Sequence, residues 1–235
     1  MTLGIVTVGQ APRTDLTGDL QDLLAEVEVI EHGALDGHDP SQLDALSNAA
    51  RASLKANEGI HVLHTRLADG GSIVYLESDA LPRTQAAVQR AANDGATAVL
   101  LACTGMFPKL DAPVPVLYPE RLLQQVALAV HDGGPVAVLT PDAAQHGDQE
   151  RRWRRILPPG IEVSVYAVSP YRPAGAGELD EVVEAFASSN PHLVVMDCIG
   201  YTRAMRARLA EALPVGRPVL TAREVAVRIA LAVAG

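Results

Sequence analysis

Residues 98–105 read Ala-Val-Leu-Leu-Ala-Cys-Thr-Gly, and residues 193–200 read Leu-Val-Val-Met-Asp-Cys-Ile-Gly. Each is an apolar run of strand composition, then one of the chain's two cysteines (Cys103 or Cys198), then one residue and a glycine. The match extends outward. Pro115-Val116-Leu117 leads into Glu120-Arg121-Leu122 and ends in Ala127-Leu128-Ala129-Val130, while Pro218-Val219-Leu220 leads into Arg223-Glu224-Val225 and ends in Ala230-Leu231-Ala232-Val233. Upstream, Ile5-Val6-Thr7-Val8 before Gly9-Gln10 answers to Val136-Ala137-Val138-Leu139 before Thr140-Pro141. The order strand, cysteine loop, strand, helix therefore occurs twice. A doubled unit with one thiol per copy predicts two lobes facing each other across a cleft, one sulfur on each wall. Such an arrangement suits proton transfer on opposite faces of a small substrate.

Composition agrees with this fold class. Hydrophobic residues make up 48% of the 235 but aromatic residues only 3%, so Ala, Val and Leu must fill the core. Continuous apolar runs of these residues suit parallel strands covered by helices on both faces. Strands are expected at 3–8, 27–31, 97–102, 114–117, 135–139, 161–168, 192–197 and 218–220. Helices are expected at 14–25, 41–56, 80–94, 119–131, 142–156, 177–188, 202–212 and 221–233. Their alternation implies right-handed crossovers and an α/β fold of two pseudo-symmetric parallel-sheet, flavodoxin-like lobes with the active site between them. One segment breaks the alternation: Asp69-Gly70 between two apolar runs predicts an antiparallel hairpin inserted in the first lobe, near the edge of its sheet. Pro-rich stretches near 113–118 and 214–218 place the boundaries, giving a first lobe of residues 1–116 plus 219–235 and a second of 117–218.

The net charge of −9 argues against a nucleic-acid backbone as partner. The run Arg151-Arg152-Trp153-Arg154-Arg155 is a local exception, expected to be a solvated helix face or an ion-pairing end. No secretory signal and no stretch long enough to span a bilayer is visible, and two cysteines at strand ends fit reduced thiols. A soluble cytoplasmic protein, away from the membrane, is the expectation.

In an open parallel sheet, ligands bind beyond the carboxyl ends of the strands. The loops at Gly9–Arg13, Cys103–Phe107, Thr140–Asp142 and Cys198–Thr202 all lie there, each preceding a helix or turn rich in backbone N–H groups that suit an anion. A carboxylate could be held by the amides of Thr104, Gly105 and Gly200, with Gln10 and Arg13 as side-chain donors. N–H dipoles beside Cys103 and Cys198 can supply thiolate. Asp197 would oppose this if it faced the sulfur, but strand alternation turns it away. Zinc wants four ligands at short local spacings, which these thiols lack, so no metal is expected. Dinucleotide and Walker phosphate-loop motifs and the serine nucleophile elbow are missing from the sequence, which disfavours nucleotide cofactors and serine hydrolysis.

At these motifs the chain resembles the AroM family of the aspartate/glutamate racemase superfamily. Val6-Thr7-Val8-Gly9-Gln10-Ala11-Pro12-Arg13 is similar to its opening motif, Asp197-Cys198-Ile199-Gly200-Tyr201 to its second signature, and Ala102-Cys103-Thr104-Gly105 to the superfamily's first cysteine loop. The resemblance runs from residue 3 to the C-terminus. It implies two pseudo-symmetric α/β lobes, no cofactor, a homodimer, and an exchange of the α-proton between Cys103 and Cys198, with Thr104 and Thr140 on the substrate carboxylate. The chain also departs from the amino-acid racemases. Ile199-Gly200-Tyr201 follows the second cysteine where threonine and then a ring residue are usual, and Gln10 stands where the opening loop has an acidic residue.

The expected function is a cofactor-independent racemase or isomerase of a small carboxylic acid, with Cys103 and Cys198 as acid and base. Two alternatives stay open: a cofactor-independent decarboxylase using one cysteine, and a non-catalytic carboxylate sensor with the same cleft. Gln10, Arg13 and Tyr201 point toward a dicarboxylate, hydroxy or keto acid, because an amide, a guanidinium and a phenol suit an oxygen-rich anion.

Overall fold

The two cysteine-bearing runs form strands with every residue buried, β5 (Ala98–Leu101) and β9 (Leu193–Met196). Beside them lie the equally apolar β1 (Thr2–Thr7) and β7 (Val136–Thr140). The computed structural model describes residues 1–56, 61–171 and 177–234. Its chain divides into two compact units, Met1–Tyr118 with Val227–Gly235, and Pro119–Ala226.

Each unit holds a four-stranded sheet whose described pairings are all parallel. The first runs β2 (Glu28–Gly33), β1, β5, β6 (Val116–Leu117). The second runs β8 (Val163–Ala167), β7, β9, β10 (Val219–Thr221). Strand for strand the orders are the same, and so is the register of the central pair: Val6 sits opposite Leu101 and Leu139 opposite Met196. Cys103 and Cys198 each follow two residues later. Thr7 and Thr140, one residue beyond Val6 and Leu139, are likewise equivalent and both are buried.

The central strands are covered on both faces, so each fully buried Val or Leu contributes roughly 1.5–3 kcal/mol by leaving water. In the first unit Val6, Val99 and Leu101 pack with Ala87, Val88 and Ala91 of α4 (Glu77–Asn93). In the second, Leu139, Val194 and Met196 pack with Val182 and Phe186 of α7 (Glu178–Ser189). Small Ala and Val side chains let the helices lie close, consistent with so few aromatic residues. Gly95, at φ +101°, ends α4 as the Asn93-Asp94-Gly95 sequence predicts. The remaining helices are α3 (Pro40–Ala56), α5 (Pro119–Val130), α6 (His146–Ile156), α8 (Arg203–Glu211) and α9 (Ala222–Ala234).

Two expectations are corrected. The helix expected over 14–25 is broken into α1 (Thr14–Thr17) and α2 (Gln21–Leu24). Gly18, a poor helix former, sits at the interruption, although Leu16, Leu20 and Leu24 keep helical spacing and are buried. The helix expected from 142 opens instead as a 3-10 turn, Ala143–Gln145, because the Asp142 side chain accepts from the Ala144 amide at 2.8 Å. The expected hairpin, β3 (Val62–Arg66) and β4 (Ser72–Leu76), pairs antiparallel and forms a two-stranded sheet within the first unit.

That hairpin is fixed to the loop after β1. Tyr75 donates its hydroxyl to the Val8 carbonyl at 2.5 Å, and the Gln10 amide donates to the Arg66 carbonyl at 3.2 Å. Close approach requires Gly9, where a Cβ would fall 2.0 Å from the Arg66 oxygen and 2.3 Å from Thr65 Oγ1. Gly147, early in α6, is the contrast: a Cβ there meets only the flexible end of Arg151 at 3.3 Å. Gly9→Ala should therefore lower unfolding free energy by about 2–3 kcal/mol. Gly147→Ala should leave it unchanged or raise it by up to about 1 kcal/mol. Urea unfolding of both variants checks the pair of signs.

Candidate functional site

Both cysteines lie where their central strand runs out and the chain turns. In the first unit Gly105 N–H points back to Cys103 Sγ at 3.3 Å. In the second, Gly200 N–H points back to Cys198 Sγ at 3.4 Å. The same local turn, at the same register position, gives each sulfur an N–H donor from the second residue on. Such a bond favours the thiolate over the thiol. Cys103 is half-buried and Cys198 buried.

The turns are glycine-dependent for different neighbours. A Cβ on Gly105 would lie 3.1 Å from Leu63 of the hairpin and 3.2 Å from Phe107. On Gly200 it would lie 2.7 Å from Pro170 and 3.0 Å from the Tyr171 ring. Glycine thereby admits Tyr171 to the loop, and its hydroxyl stands 3.5 Å from Cys198 Sγ. Tyr171 escaped the sequence reading, although it follows β8 at the carboxyl end of the sheet, where every other candidate was sought.

Asp197 turns away from the sulfur as alternation predicts. Its carboxylate accepts from Trp153 Nε1 at 2.8 Å and pairs with Arg152. The basic run is thus two-faced: Arg151 and Arg154 pair with Asp148 and Glu150 on the surface of α6, while Arg152 and the fully buried Trp153 reach inward. Arg223, on α9, is fully buried and donates to the carbonyls of Ile199 at 3.0 Å and Gly200 at 2.8 Å. No pattern in a single sequence marks Arg223, whose partners are 24 and 23 residues away.

Several expected substrate-binding side chains are engaged within the protein. Arg13 is 2% exposed and sets its fork on Asp15, with Nε–Oδ1 at 2.7 Å and Nη2–Oδ2 at 2.8 Å. A third donor, Nη1, reaches Thr7 Oγ1 at 3.2 Å. Beneath it Glu31 accepts the Arg13 amide at 2.6 Å; burial raises the Glu31 carboxyl above the usual range, against the pull of that bond and of the guanidinium. Gln10 bridges loops, donating to the carbonyls of Leu35 and His38 and accepting from the Ala68 amide. Tyr201 is fully buried and donates to the Val168 carbonyl at 2.8 Å. Burial, with the Cys198 and Asp197 charges adding, pushes its ionisation well above the ordinary tyrosine range, so it stays neutral. Thr140 donates to Gln145 Oε1 at 3.0 Å. The dicarboxylate inference drawn from Gln10, Arg13 and Tyr201 therefore meets polar groups already satisfied inside the fold. Thr104 stands half-buried between Cys103 and Gly105.

Among the described residues, no three His, Cys, Asp or Glu side chains group as a metal site, and no helix is long and apolar enough to cross a membrane.

The chain matches the family model described as AroM protein over residues 3–233. No curated protein matches it. Among solved structures it is similar to a liganded double mutant of arylmalonate decarboxylase, with a TM-score of 0.63 and 15% identity over 100% of this chain and 92% of that one. It is also similar to the aspartate racemase of Picrophilus torridus, with a TM-score of 0.59 and 10% identity over 100% and 94%. Glutamate racemase from Aquifex pyrophilus gives 0.54 and 15% over 97% and 82%. At these identities the likeness is one of fold: paired parallel-sheet α/β lobes.

The Asp197 cluster gives a test of how this loop is held. Removing one partner of a buried pair leaves the other charge uncompensated, so Asp197→Ala should cost roughly 3–5 kcal/mol in urea unfolding. A loss below about 1 kcal/mol is what a surface pair gives and would contradict the placement of Arg152 and Trp153 on this carboxylate.

Proposed function

The chain belongs to the AroM family, and from that membership and the paired sulfur sites we propose that it is a cofactor-independent racemase or isomerase of a small carboxylic acid. The carrying observation is the repeated contact of a glycine N–H with sulfur, 3.3 Å at Cys103 and 3.4 Å at Cys198. A structural cysteine needs no such donor, since it packs as a small hydrophobe. Two cysteines provided with one in the same way, at the same register, fit a pair of thiols that take turns carrying charge.

Proton abstraction beside a carboxylate needs a base on one face of the carbon, an acid on the other, and donors for the enolate that develops between. One sulfur, as thiolate, takes the α-proton; the other, as thiol, returns a proton to the opposite face. Thr104 and Thr140 are our candidates for the carboxylate, the latter by turning its hydroxyl from Gln145. Tyr171 joins them as a donor beside Cys198. The substrate is left at the level of a small carboxylic acid, because Arg13, Gln10 and Tyr201 are engaged elsewhere.

Cys103→Ser and Cys198→Ser separate the possibilities. A racemase should lose roughly 10²–10⁴-fold in kcat/KM with either substitution, measured by polarimetry on a panel of chiral 2-substituted acids. A decarboxylase protonates its enolate from one side only, so one variant would keep substantial activity toward a malonate. Unchanged turnover in both variants would remove the thiols from the mechanism.

A further inference from the structure

The two cysteine turns are alike in backbone but not in what stands behind them. In the second unit the Ile199 carbonyl and the Gly200 N–H are the two ends of one peptide group. Arg223 Nε donates to the carbonyl at 3.0 Å, and the N–H donates to Cys198 Sγ at 3.4 Å. Arg223 Nη2 holds the next carbonyl, that of Gly200, at 2.8 Å. The peptide is resonance-coupled, so a cation on its oxygen draws density from its nitrogen and makes the N–H a stronger donor. Charge-assisted bonds to a buried guanidinium also fix the peptide plane that aims the N–H at the sulfur. The matching position in the first half of the repeat is Glu120, which falls five residues after Pro115 as Arg223 falls five after Pro218. A glutamate side chain has no N–H to give.

We propose that Arg223 makes Cys198 the resting thiolate and leaves Cys103 the resting thiol. This assignment deepens the two-thiol reading above and rests on it. Arg223 is a positioning residue, acting through the peptide and touching no substrate. The α-C–H bond then breaks toward Cys198, forming its S–H, while the Cys103 S–H breaks and its proton forms the new C–H on the other face. The enzyme leaves that turnover with the protonation of the two sulfurs exchanged, and solvent proton exchange restores the resting form.

Other polar and charged groups of the second unit act in both directions. Tyr171 brings a hydroxyl to the sulfur from the loop after β8. Tyr201, kept neutral, gives its proton to Val168. Asp197 is answered by Arg152 and Trp153 on α6, and Glu224 of α9 by Arg203 of α8 at 3.5 Å. Glu178 of α7 accepts the Ser169 amide at 2.8 Å. The carboxylates disfavour a neighbouring thiolate, and among the described residues Arg223 is a cation whose hydrogen bond leads to the sulfur through a single peptide.

The test is the pH dependence of iodoacetamide alkylation of the full chain, with the two cysteine peptides followed separately by mass spectrometry. Access limits the maximal rate at each site, but the midpoint reports the thiol. In the wild type, Cys198 should have the lower midpoint. Arg223→Gln should raise it by about one pH unit, Arg223→Lys by less, and neither should move Cys103. A midpoint for Cys103 at or below that of Cys198, or no change at Cys198 in folded Arg223→Gln, would overturn the assignment. If neither variant folds, the wild-type order alone decides it. No substrate enters the assay, so a failure to find turnover and a failure of this assignment are read independently.

Discussion

A glycine N–H turned back onto a sulfur two residues earlier is the contact around which each half of this chain is arranged. Here it forms where a central parallel strand, buried on both faces, ends and the backbone reverses at once. β5 and β9 supply that ending, with Leu101 and Met196 opposite Val6 and Leu139. The glycines supply the reversal and the space, since a Cβ at Gly200 would collide with Pro170 and Tyr171, and one at Gly105 would crowd Leu63 and Phe107. The helices on either side of each sheet give the strands the burial that keeps this register fixed, because a slip would put apolar side chains out of place.

Around that shared contact the two halves have diverged. The first turn is backed by a hairpin, held through Gly9, Gln10 and Tyr75 to the loop after β1. The second is backed by charge: Arg223 on its carbonyls, Asp197 drawn to Arg152 and Trp153, and Tyr171 at the sulfur. A duplicated motif with unequal surroundings allows two identical thiols to hold different protonation states. A one-base, one-acid reaction needs that difference. Both racemases and a decarboxylase occur on this fold.

The fold was legible in the sequence because its signals are local and repeated. Apolar runs too long to alternate mark doubly covered strands, Asp69-Gly70 marks the hairpin turn, and the cysteine loops mark the strand ends. The helix over 14–25 was misjudged because Leu16, Leu20 and Leu24 keep helical spacing across the break at Gly18. Of the candidate site, the backbone pattern was legible. Spacing alone relates Cys103 and Gly105 to Cys198 and Gly200, and both pairs make the same N–H to sulfur contact. The partners of the polar side chains were not legible, because a polar residue in a candidate loop can bond within the protein itself. Asp15 takes the Arg13 fork, Val168 takes the Tyr201 hydroxyl, and Leu35 and His38 take the Gln10 amide. Conversely Tyr171 and Arg223 reach the Cys198 turn from more than 20 residues away, a relation that no local spacing encodes.

The central claim is that this pair of sulfurs moves a carbon-bound proton. Solvent deuterium exchange, followed by proton NMR on the wild-type protein with small chiral carboxylic acids and no added cofactor, measures that step directly. The account predicts loss of the α-proton signal of an acid that binds, with deuterium appearing in both enantiomers. An acid that saturates the protein in calorimetry yet keeps its α-proton through prolonged incubation would contradict it, and would mark the chain as a binding protein on a racemase fold.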